Sequence, residues 1–331
     1  MPMRTAYIRS VGRFLPERRL TNRDLEKMVD TSDEWILSRT GIRERRILEP
    51  GLGNAYMAVR AARECLERAG EDASEVDAIV VGTVTPDMFF PSTACLVQRE
   101  LGARRAWGFD LSAGCSGFIF SLTTGAQMIE SGRYDKVLVV GSDVMSSIID
   151  YEDRNTCVLF GDGAGAVLLE PCPDGEYGIL DYVQRIDGAG EPFLHMKAGG
   201  SRRPATAETV ALREHYAYQE GRQVFKWAVK EMADVSVQIM KRNRLEGKDI
   251  ALFVPHQANL RIIEASVKRM GIDWNKVVVN IDRYANTTAG TVPLCLYDAV
   301  VEEDRVSRGD YLVLSAFGAG FTWGSILVKW W

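Results

Sequence analysis

Hydrophobic and polar residues follow two different periods along the chain, and the two periods alternate from one end to the other. Short apolar runs that end at turn residues predict buried strands, and stretches with apolar residues three or four apart predict helices. The predicted strands cover residues 5–12, 77–84, 135–141, 178–186, 249–256, 276–281 and 310–318. The predicted helices cover residues 54–69, 91–101, 221–243, 258–271 and 292–304. Because strands alternate with helices throughout, the pattern predicts an α/β fold with a mixed, largely parallel sheet covered by helices.

The order of predicted elements in the first half of the chain returns in the second half. The run DAIVVG, which begins at Asp77, matches DIALFV, which begins at Asp249. We therefore divide the chain into two similar halves, residues 1–172 and residues 173–331. A duplicated unit of this kind predicts two sheets around shared central helices. A polar, irregular stretch over residues 188–221 interrupts the second half, and we expect it to lie on the surface.

Composition and charge narrow the possible classes of protein. Hydrophobic residues make up 46% and charged residues 26% of the 331 residues, which is typical of a soluble globular protein. The net charge of −5 argues against general nucleic-acid binding, and no apolar run reaches the roughly 20 residues that cross a membrane. The N-terminus lacks the apolar run of a secretion signal, and the six cysteines are scattered without a CxxC pair. We therefore expect a cytoplasmic protein without a disulfide framework or a metal site.

One cysteine lies where a predicted strand turns into a predicted helix. The stretch WGFDLSAGCSGF begins as an apolar strand at Trp107, turns through small residues, and places Cys115 at the start of a helix. Unpaired backbone N–H groups and the helix dipole at this point favour thiolate over thiol, which predicts a nucleophile. The alternative is a small buried cysteine in a strand–helix turn, since free cysteine is usually a core residue. Taken alone, Cys115 fits both interpretations.

Two further residues lie at positions where the duplication brings chemistry together. His256 ends a predicted strand, and Asn286 lies on the turn that the repeat makes equivalent to the Cys115 turn. Reactive groups of α/β folds gather at strand ends and helix starts, so we expect all three side chains to meet. The alternatives are a hydrogen-bonded core histidine at 256 and a turn or cap residue at 286. The two other histidines, His195 and His215, lie in the polar stretch and are predicted to face solvent.

The segment GDGAGA at residues 161–166 has the composition of a phosphate-binding loop. Such a loop follows a strand and opens a helix, but here VLLEP follows and predicts a strand that ends at Pro171. We therefore interpret the glycines as a tight turn between strands.

Several segments together resemble the β-ketoacyl-acyl-carrier-protein synthase III family, which are condensing enzymes of the thiolase fold. They occur in the family's order and span essentially the whole chain: TSDEWILSRTGIRERR, DLSAGCSGF, GDGAGA, VFKWAV, VPHQANLRII, ANTTAGTVPL and FGAGFTWGS. The resemblance implies internally duplicated αβαβα layers with two mixed sheets around shared central helices. It implies that Cys115 accepts an acyl group from acyl-CoA, with His256 and Asn286 as its partners. The implied reaction is decarboxylative condensation with malonyl-acyl carrier protein, which initiates type II fatty-acid synthesis.

The resemblance also assigns the residues that bind the substrates. The backbone N–H groups of Cys115 and Ala319 would form the oxyanion hole, although the family more often has glycine at the second position. The residues implied to hold coenzyme A are Trp35, Arg39, Arg154 and Asn259. Those implied to line the tunnel or acyl pocket are Phe225 and Phe90, of which Phe90 enters the pocket of a partner subunit in a homodimer. Those implied to meet carrier protein are Lys226, Arg261 and Lys268. Acyl-CoA is then a substrate, no cofactor is expected, and neither nucleic acid nor membrane is an expected partner.

Related activities are distinguished by single residues. A thiolase needs a second active-site cysteine, which the segment FGAGF lacks. A hydroxymethylglutaryl-CoA synthase needs a glutamate base, which the segments DLSAGCSGF and PHQAN do not contain. An acyltransferase or condensing enzyme of secondary metabolism with the same three residues stays open. Asn286 favours decarboxylative condensation, because simple acyl transfer has no enolate to stabilise. A non-catalytic subunit of a condensing complex is expected to have lost Cys115, which this chain retains.

Overall fold

Two mixed sheets with matching strand order form the centre of the computed structural model, which describes residues 4–331. Its strands are β1 (Ala6–Phe14), β2 (Arg19–Thr21), β3 (Glu44–Arg46), β4 (Ala78–Gly82), β5 (Trp107–Leu111), β6 (Val137–Asp143), β7 (Gly163–Pro171), β8 (Gly178–Ile186), β9 (Leu194–Met196), β10 (Ala217–Gln219), β11 (Ile250–Pro255), β12 (Tyr311–Gly318) and β13 (Thr322–Lys329). Its α-helices are α1 (Asn22–Leu25), α2 (Asp33–Thr40), α3 (Asn54–Ala69), α4 (Thr93–Leu101), α5 (Gly117–Glu130), α6 (Ala207–Ala211), α7 (Gly221–Arg242), α8 (Leu260–Met270), α9 (Ile281–Tyr284) and α10 (Thr291–Tyr297).

The strand order of the first sheet is repeated in the second. The first sheet runs β1-β7-β6-β4-β5, with β4 parallel to β5 and β6 and with β7 antiparallel to both of its neighbours. The second sheet runs β8-β13-β12-β11, with β11 parallel to β12 and with β13 antiparallel to both of its neighbours. Matching β1, β7, β6 and β4 with β8, β13, β12 and β11 superimposes the two orders. The fold therefore contains the predicted duplication, and the predicted division after residue 172 falls between β7 and β8.

The predicted strand over residues 276–281 is wrong, although it occupies the place equivalent to β5. Only one bridge, between Phe253 and Val277, connects this segment to the second sheet. The side chain of Gln257 replaces the missing ladder bonds: its Nε2 donates to Val278 O at 3.0 Å, and its Oε1 accepts from Asn280 N at 3.2 Å. A side chain that takes over backbone hydrogen bonds leaves no signal in the hydrophobic pattern.

Helices lie between the sheets and on both outer faces, which gives five layers. α5 and α10 form the central layer, where Phe118, Leu122 and Leu296 join one fully buried core with residues of both sheets. α5 is apolar on most of its circumference because it is covered on both sides. α3 and α4 pack on the outer face of the first sheet, and α7 and α8 pack on the outer face of the second. The αβαβα arrangement of the thiolase fold is therefore confirmed.

Helix boundaries follow the capping residues more closely than the apolar pattern. α3 has the predicted bounds, but α4 begins at Thr93, because the hydroxyl of Ser92 accepts the Cys95 N–H and caps the helix. α10 ends at Tyr297 and continues as a π-helical segment over Asp298–Glu302, so the predicted helix 292–304 is not one regular helix. Within residues 4–331, none of the helices combines the length and the apolar character that crossing a membrane requires.

The polar stretch over residues 188–221 is more ordered than predicted. It contains α6 and a two-stranded antiparallel sheet formed by β9 and β10. His195 and His215 are half-buried there rather than solvent-facing. The Nδ1 of His195 lies 2.8 Å from Glu191 O, and the Nε2 of His215 lies 2.9 Å from the Thr209 hydroxyl. Both histidines therefore stabilise the stretch itself.

The glycines of GDGAGA do not form the predicted turn between strands. β7 already begins at Gly163, and a Cβ on Gly165 would lie 2.6 Å from the side chain of Pro293. A Cβ on Gly161 would lie 2.7 Å from Tyr284 O. These residues are glycine because segments from the second half approach the backbone closely, and they hold no phosphate-loop geometry, since no helix follows.

Candidate active site

One cavity of about 890 Å³ connects the surface to the buried ends of several elements. Its exposed part includes Trp35 and Arg39 of α2. Its buried part includes Cys115, His256 and Asn286, which are between 1% and 8% exposed. The structure therefore brings the three predicted reactive residues together, and each comes from a different segment of the chain.

The Cys115 turn packs tightly against the hairpin between β12 and β13. A 3₁₀ turn over Gly114–Ser116 joins β5 to α5, and Gly114 has a φ of +55° that favours glycine. A Cβ on Gly114 would lie 2.7 Å from Ala319 N, and a Cβ on Gly318 would lie 2.4 Å from Cys115 N. The two backbone amides predicted to form the oxyanion hole therefore lie on facing segments. Thr322 fastens the contact, because its hydroxyl donates to Ala113 O at 2.7 Å.

Burial and, to a smaller extent, the nearby Asp143 carboxylate together raise the pKa of the Cys115 thiol to about 12. The N–H of Cys115 itself and the side chain of Asn286 oppose this shift. The expectation that the helix start alone favours the thiolate is therefore wrong for the substrate-free protein, because loss of solvent outweighs the helix dipole. Cys115 therefore rests as a thiol, with its proton on the sulfur.

His256 follows the end of β11 and is 1% exposed. Neither of its ring nitrogens has a hydrogen-bond partner within residues 4–331. Burial lowers the pKa of His256 to about 3, so the ring is neutral near pH 7, with one N–H donor and one acceptor. A core histidine would have found partners, so the structural alternative for His256 does not fit. The two nitrogens are available to substrate.

Gln257 fixes the backbone next to His256, and the sequence interpretation missed it. Its Nε2 donates to Pro255 O at 3.0 Å as well as to Val278 O. His256 N donates to Ser315 O at 2.8 Å, which continues the parallel register with β12. The motif PHQAN indicates a group of polar residues around the histidine, but it does not indicate which of their side chains point into the protein.

Asn286 is held through its backbone and one side of its amide. Its N–H donates to Leu159 O at 3.0 Å, and its carbonyl accepts from Gly161 N at 3.0 Å. Its Oδ1 accepts from Thr288 N at 2.9 Å, so the Nδ2 group is directed to the other side. The Asn286 side chain lines the same cavity as the Cys115 thiol and lowers its pKa. The residue therefore presents N–H donors to the same space as Cys115.

The nucleotide-binding residues predicted from the sequence lie at the exposed part of the cavity. The guanidinium of Arg154 lies 4.8 Å from the ring centroid of Trp35, and Arg39 lines the cavity beside that ring. Asn259 caps α8 by accepting the Arg261 N–H, and its Nδ2 donates to Arg39 O at 2.9 Å. The amide of Asn259 is thus largely occupied by contacts that hold α2 against α8.

The residues predicted for carrier protein and the acyl pocket divide into two groups. Arg261 and Phe225 line the cavity, and the Arg261 guanidinium lies 5.0 Å from the Phe225 ring centroid. Lys226 on α7 and Lys268 on α8 are exposed on neighbouring helices. Phe90 is 85% exposed and lies outside this cavity.

Comparison with known proteins places these features in a family. The model of 3-oxoacyl-[acyl-carrier-protein (ACP)] synthase III matches residues 109–188, and the model of the C-terminal part of the same enzymes matches residues 240–330. The β-ketoacyl-[acyl-carrier-protein] synthase III of Koribacter versatilis is 54% identical over 329 residues, which are 99% of this chain and 98% of that protein. The protein of the same name from Chlorobaculum tepidum is 54% identical and covers 98% of this chain and 99% of its own length.

Solved structures agree over the full length. The 3-oxoacyl-[acyl-carrier-protein] synthase III of Aquifex aeolicus has a TM-score of 0.90 and 42% identity, and covers 98% of this chain and 100% of its own. The priming β-ketosynthase of the R1128 polyketide biosynthetic pathway has a TM-score of 0.92 and 36% identity, and the match covers 100% of this chain and 98% of that chain.

A duplicated αβαβα fold in which a buried cysteine faces a neutral histidine and an asparagine defines a condensing acyltransferase of the thiolase fold. The chain belongs to the β-ketoacyl-acyl-carrier-protein synthase III family.

Proposed function

We propose that this protein condenses an acyl-CoA starter with malonyl-acyl carrier protein through an acyl-Cys115 intermediate, and so initiates type II fatty-acid synthesis. The observation that carries the proposal is the meeting of Cys115, His256 and Asn286 in one cavity. A thiol becomes both a good nucleophile and a good leaving group once its proton is removed, which suits transfer between thioesters. Two neutral N–H donors suit an enolate, whose negative charge develops during decarboxylation.

Acyl transfer to Cys115 uses the neutral imidazole as a temporary proton acceptor. The Cys115 sulfur attacks the thioester carbonyl while its proton moves to a ring nitrogen of His256. The resulting oxyanion is stabilised by the N–H groups of Cys115 and Ala319, which lie on facing segments. The bond to the coenzyme A sulfur then breaks, and that sulfur takes the proton from His256. The site returns to neutral, with the acyl group on Cys115.

Decarboxylation uses the second pair of donors. The malonyl thioester releases CO₂, and the electron pair of the broken bond forms an enolate. The enolate oxygen accepts hydrogen bonds from an N–H of His256 and from Nδ2 of Asn286. The enolate carbon attacks acyl-Cys115, the Cys115 sulfur leaves, and the thiolate regains a proton from solvent. The products are β-ketoacyl-acyl carrier protein and free enzyme.

The exposed part of the cavity suits the two carriers. Trp35 offers a stacking face, and Arg39 and Arg154 offer planar cations for the adenine and phosphates of coenzyme A. Arg261 lines the same cavity, and Lys226 is exposed on α7 directly after the lining residue Phe225; their positive charges suit an acidic carrier protein despite the net charge of −5. Lys230, which lies one turn after Lys226 on α7, is less available to carrier protein, because its ammonium group pairs with Glu231 and Asp234.

A homodimer in the cytoplasm completes the proposal. Met88, Phe89 and Phe90 form an exposed apolar group, with Phe89 82% and Phe90 85% exposed, and such a group is typical of an interaction surface. Its insertion into the acyl pocket of a second copy would bury it. The cytoplasmic location is supported by six cysteines that all carry free thiols. Sedimentation analysis of the protein tests the dimer.

Intact-protein mass spectrometry with a panel of acyl-CoAs tests the function. We expect an acyl adduct that maps to Cys115, followed by its disappearance when malonyl-acyl carrier protein is added, with one CO₂ released for each β-ketoacyl product. Transfer of the acyl group to an amine or alcohol without CO₂ release would instead identify a simple acyltransferase. Absence of any adduct across the panel would identify a non-catalytic subunit.

A further inference from the structure

Asp143 is a buried carboxylate that none of the proposed chemical steps uses. It is the last residue of β6 and is fully shielded from solvent. One oxygen, Oδ1, accepts from the Thr83 hydroxyl at 2.9 Å, Val84 N at 2.7 Å, Thr85 N at 3.1 Å and the Thr85 hydroxyl at 2.9 Å. The other oxygen, Oδ2, accepts from the Thr288 hydroxyl and from Ala289 N at 3.1 Å. Burial raises the pKa of the Asp143 carboxyl, and the six donors oppose that shift because they stabilise the ionised form, whereas a protonated acid would turn a donor of its own towards one of them.

The two oxygens of Asp143 connect the two halves of the fold. Oδ1 holds the loop after β4 in the first half, and Oδ2 holds the turn before α10 in the second. The turn enters the first half at this point, because a Cβ on Gly141 would lie 2.2 Å from Ala289 O. Asp143 therefore fastens a segment of the second half inside the first.

The turn fastened by Asp143 carries Asn286, and its backbone is strained on both sides of that residue. Ala285 has a φ of +57° with a ψ of −154°, and Thr288 has a φ of +48°. A β-branched residue rarely adopts such a φ, and strained backbone persists only where its surroundings hold it. The hydroxyl of Thr288 is held by Asp143, and the N–H of Thr288 donates to Asn286 Oδ1. The contacts thus run from Asp143 through Thr288 to the Asn286 amide.

The charge of Asp143 acts against the first half-reaction. Its carboxylate raises the pKa of the Cys115 thiol, which disfavours the thiolate that acyl transfer needs. His256, which lines the same cavity as Cys115, is neutral near pH 7 and does not offset this charge. A carboxylate that opposes acylation but holds the Asn286 turn serves the step that depends on Asn286.

We propose that Asp143 is a positioning residue for decarboxylation, which it serves by fixing Thr288 and, through Thr288, the orientation of the Asn286 amide. This inference rests on the proposed function, because it assigns Asp143 to one of the two half-reactions. It predicts that loss of the carboxylate separates the two half-reactions, with more damage to CO₂ release than to acylation.

The test compares Asp143→Asn with the wild type in each half-reaction. CO₂ release from malonyl-acyl carrier protein is expected to fall about thirtyfold or more in kcat with little change in KM, because a misdirected Asn286 amide loses an oxyanion donor. Acylation by acyl-CoA, followed by rapid quench and intact mass, is expected to stay within about threefold of normal. Alkylation of Cys115 by iodoacetamide at pH 8 is expected to become about threefold faster or more, since removal of the negative charge lowers the thiol pKa.

Two matched sets of variants separate positioning from folding. Asp77→Asn makes the same change at another buried carboxylate, which lies before the opposite end of β4 and accepts from Asp135 N, Lys136 N and Arg105 instead, and is expected to leave the ratio of CO₂ release to acylation and the alkylation rate unchanged. Thr288→Ser keeps the hydroxyl and is expected to retain CO₂ release. Thr288→Ala is expected to lose it as Asp143→Asn does, without faster alkylation. If Asp143→Asn does not fold in a thermal melt, the Thr288 pair carries the test.

Equal losses of acylation and CO₂ release in Asp143→Asn, or normal CO₂ release, would overturn the proposal. So would equal behaviour of Thr288→Ser and Thr288→Ala. Failure of the proposed function would be seen in the wild type, which would become acylated but release no CO₂. That result is distinguishable from failure of the Asp143 proposal, which is seen only when the variants are compared with the wild type.

Discussion

The turn that carries Cys115 and the turn that carries Asn286 occupy equivalent places in the two halves of the fold. Each contains a 3₁₀ segment, Gly114–Ser116 or Thr288–Gly290, and each leads into a central helix. The first turn presents a thiol and a backbone N–H, whereas the second presents a side-chain amide. The two halves thus place different chemical groups at equivalent positions, and in the proposed function these groups serve different steps.

The way in which each turn is held also differs. The Cys115 turn is fastened to the second half through Thr322 and through close backbone contact with Gly318. The Asn286 turn is fastened to the first half through the carboxylate of Asp143. Each half therefore holds the reactive turn of the other. Because the fastenings are separate, variants can disturb one half-reaction and spare the other.

The largest effect is expected for Cys115→Ser, which removes the chemistry of one turn and leaves its geometry. The neutral His256 is too weak a base to activate a serine hydroxyl, so acylation and condensation should fall by roughly four orders of magnitude. Acyl-enzyme formation by intact mass and product formation measure this. An adduct at another residue with activity retained would show that Cys115 is not the nucleophile.

Asn286→Ala addresses the second turn and should affect one half-reaction. CO₂ release and condensation should fall about a hundredfold or more, the scale for loss of one oxyanion donor, while acylation stays within roughly tenfold of normal. Parallel measurements of acyl-enzyme and CO₂ test this. Equal losses in both would mean that Asn286 shapes the site rather than stabilises an enolate.

Gly318→Ala should give the opposite pattern by disturbing the Cys115 turn. The new Cβ would lie 2.4 Å from Cys115 N, so the two segments that carry the oxyanion donors must separate. Acylation is expected to fall roughly tenfold to a hundredfold, because the donor is displaced rather than removed. CO₂ release from malonyl-acyl carrier protein, measured without a starter, should change less. An unchanged acylation rate would contradict the assignment of this oxyanion hole.

The smallest effect is expected at the exposed part of the cavity, where neither turn is touched. Arg154→Ala or Trp35→Ala should raise the KM for acyl-CoA by about tenfold with little change in kcat, since binding of the nucleotide is equal in ground and transition states. A pantetheine thioester without the nucleotide should be indifferent to both variants. Arg99→Ala, at an exposed arginine on α4 that pairs with Glu100, is the matched control. An equal loss of activity with acyl-CoA and with the pantetheine thioester would show that these residues support the fold or the chemical step rather than nucleotide binding.

Much of the fold could be predicted, because the main helices and strands bury one or more faces and therefore have apolar residues at regular spacing. α3 has its predicted bounds, and so does β8. The segment over residues 276–281 could not be predicted, because the amide of Gln257 takes the place of a backbone ladder. The glycines of GDGAGA were misinterpreted for a similar reason, since the atoms that approach them belong to the other half of the chain.

The meeting of Cys115, His256 and Asn286 in one cavity could be predicted, because each is a chemically distinctive side chain at a strand end or a turn. Their electrostatic state could not, because the pKa values of Cys115 and His256 depend on burial that only the folded chain defines. Asp143 was overlooked at the border between an apolar strand and a polar loop. The structural role of Asp143 depends on six hydrogen-bond donors from two segments that are distant in the sequence, and no local sequence pattern predicts that these segments meet.

The thiol state of Cys115 has a consequence for its exposure to oxidants and electrophiles. Peroxides and simple alkylating agents react with thiolates, so a cysteine whose burial raises its pKa to about 12 is protected while no substrate is present. In the proposed mechanism, Cys115 becomes reactive when a thioester occupies the cavity and the thiol proton moves to the neutral imidazole of His256. A covalent inhibitor of Cys115 is therefore expected to need a group that resembles the thioester, so that the thiol proton moves to His256 as the inhibitor reacts. High chemical reactivity of the inhibitor alone is not expected to be sufficient.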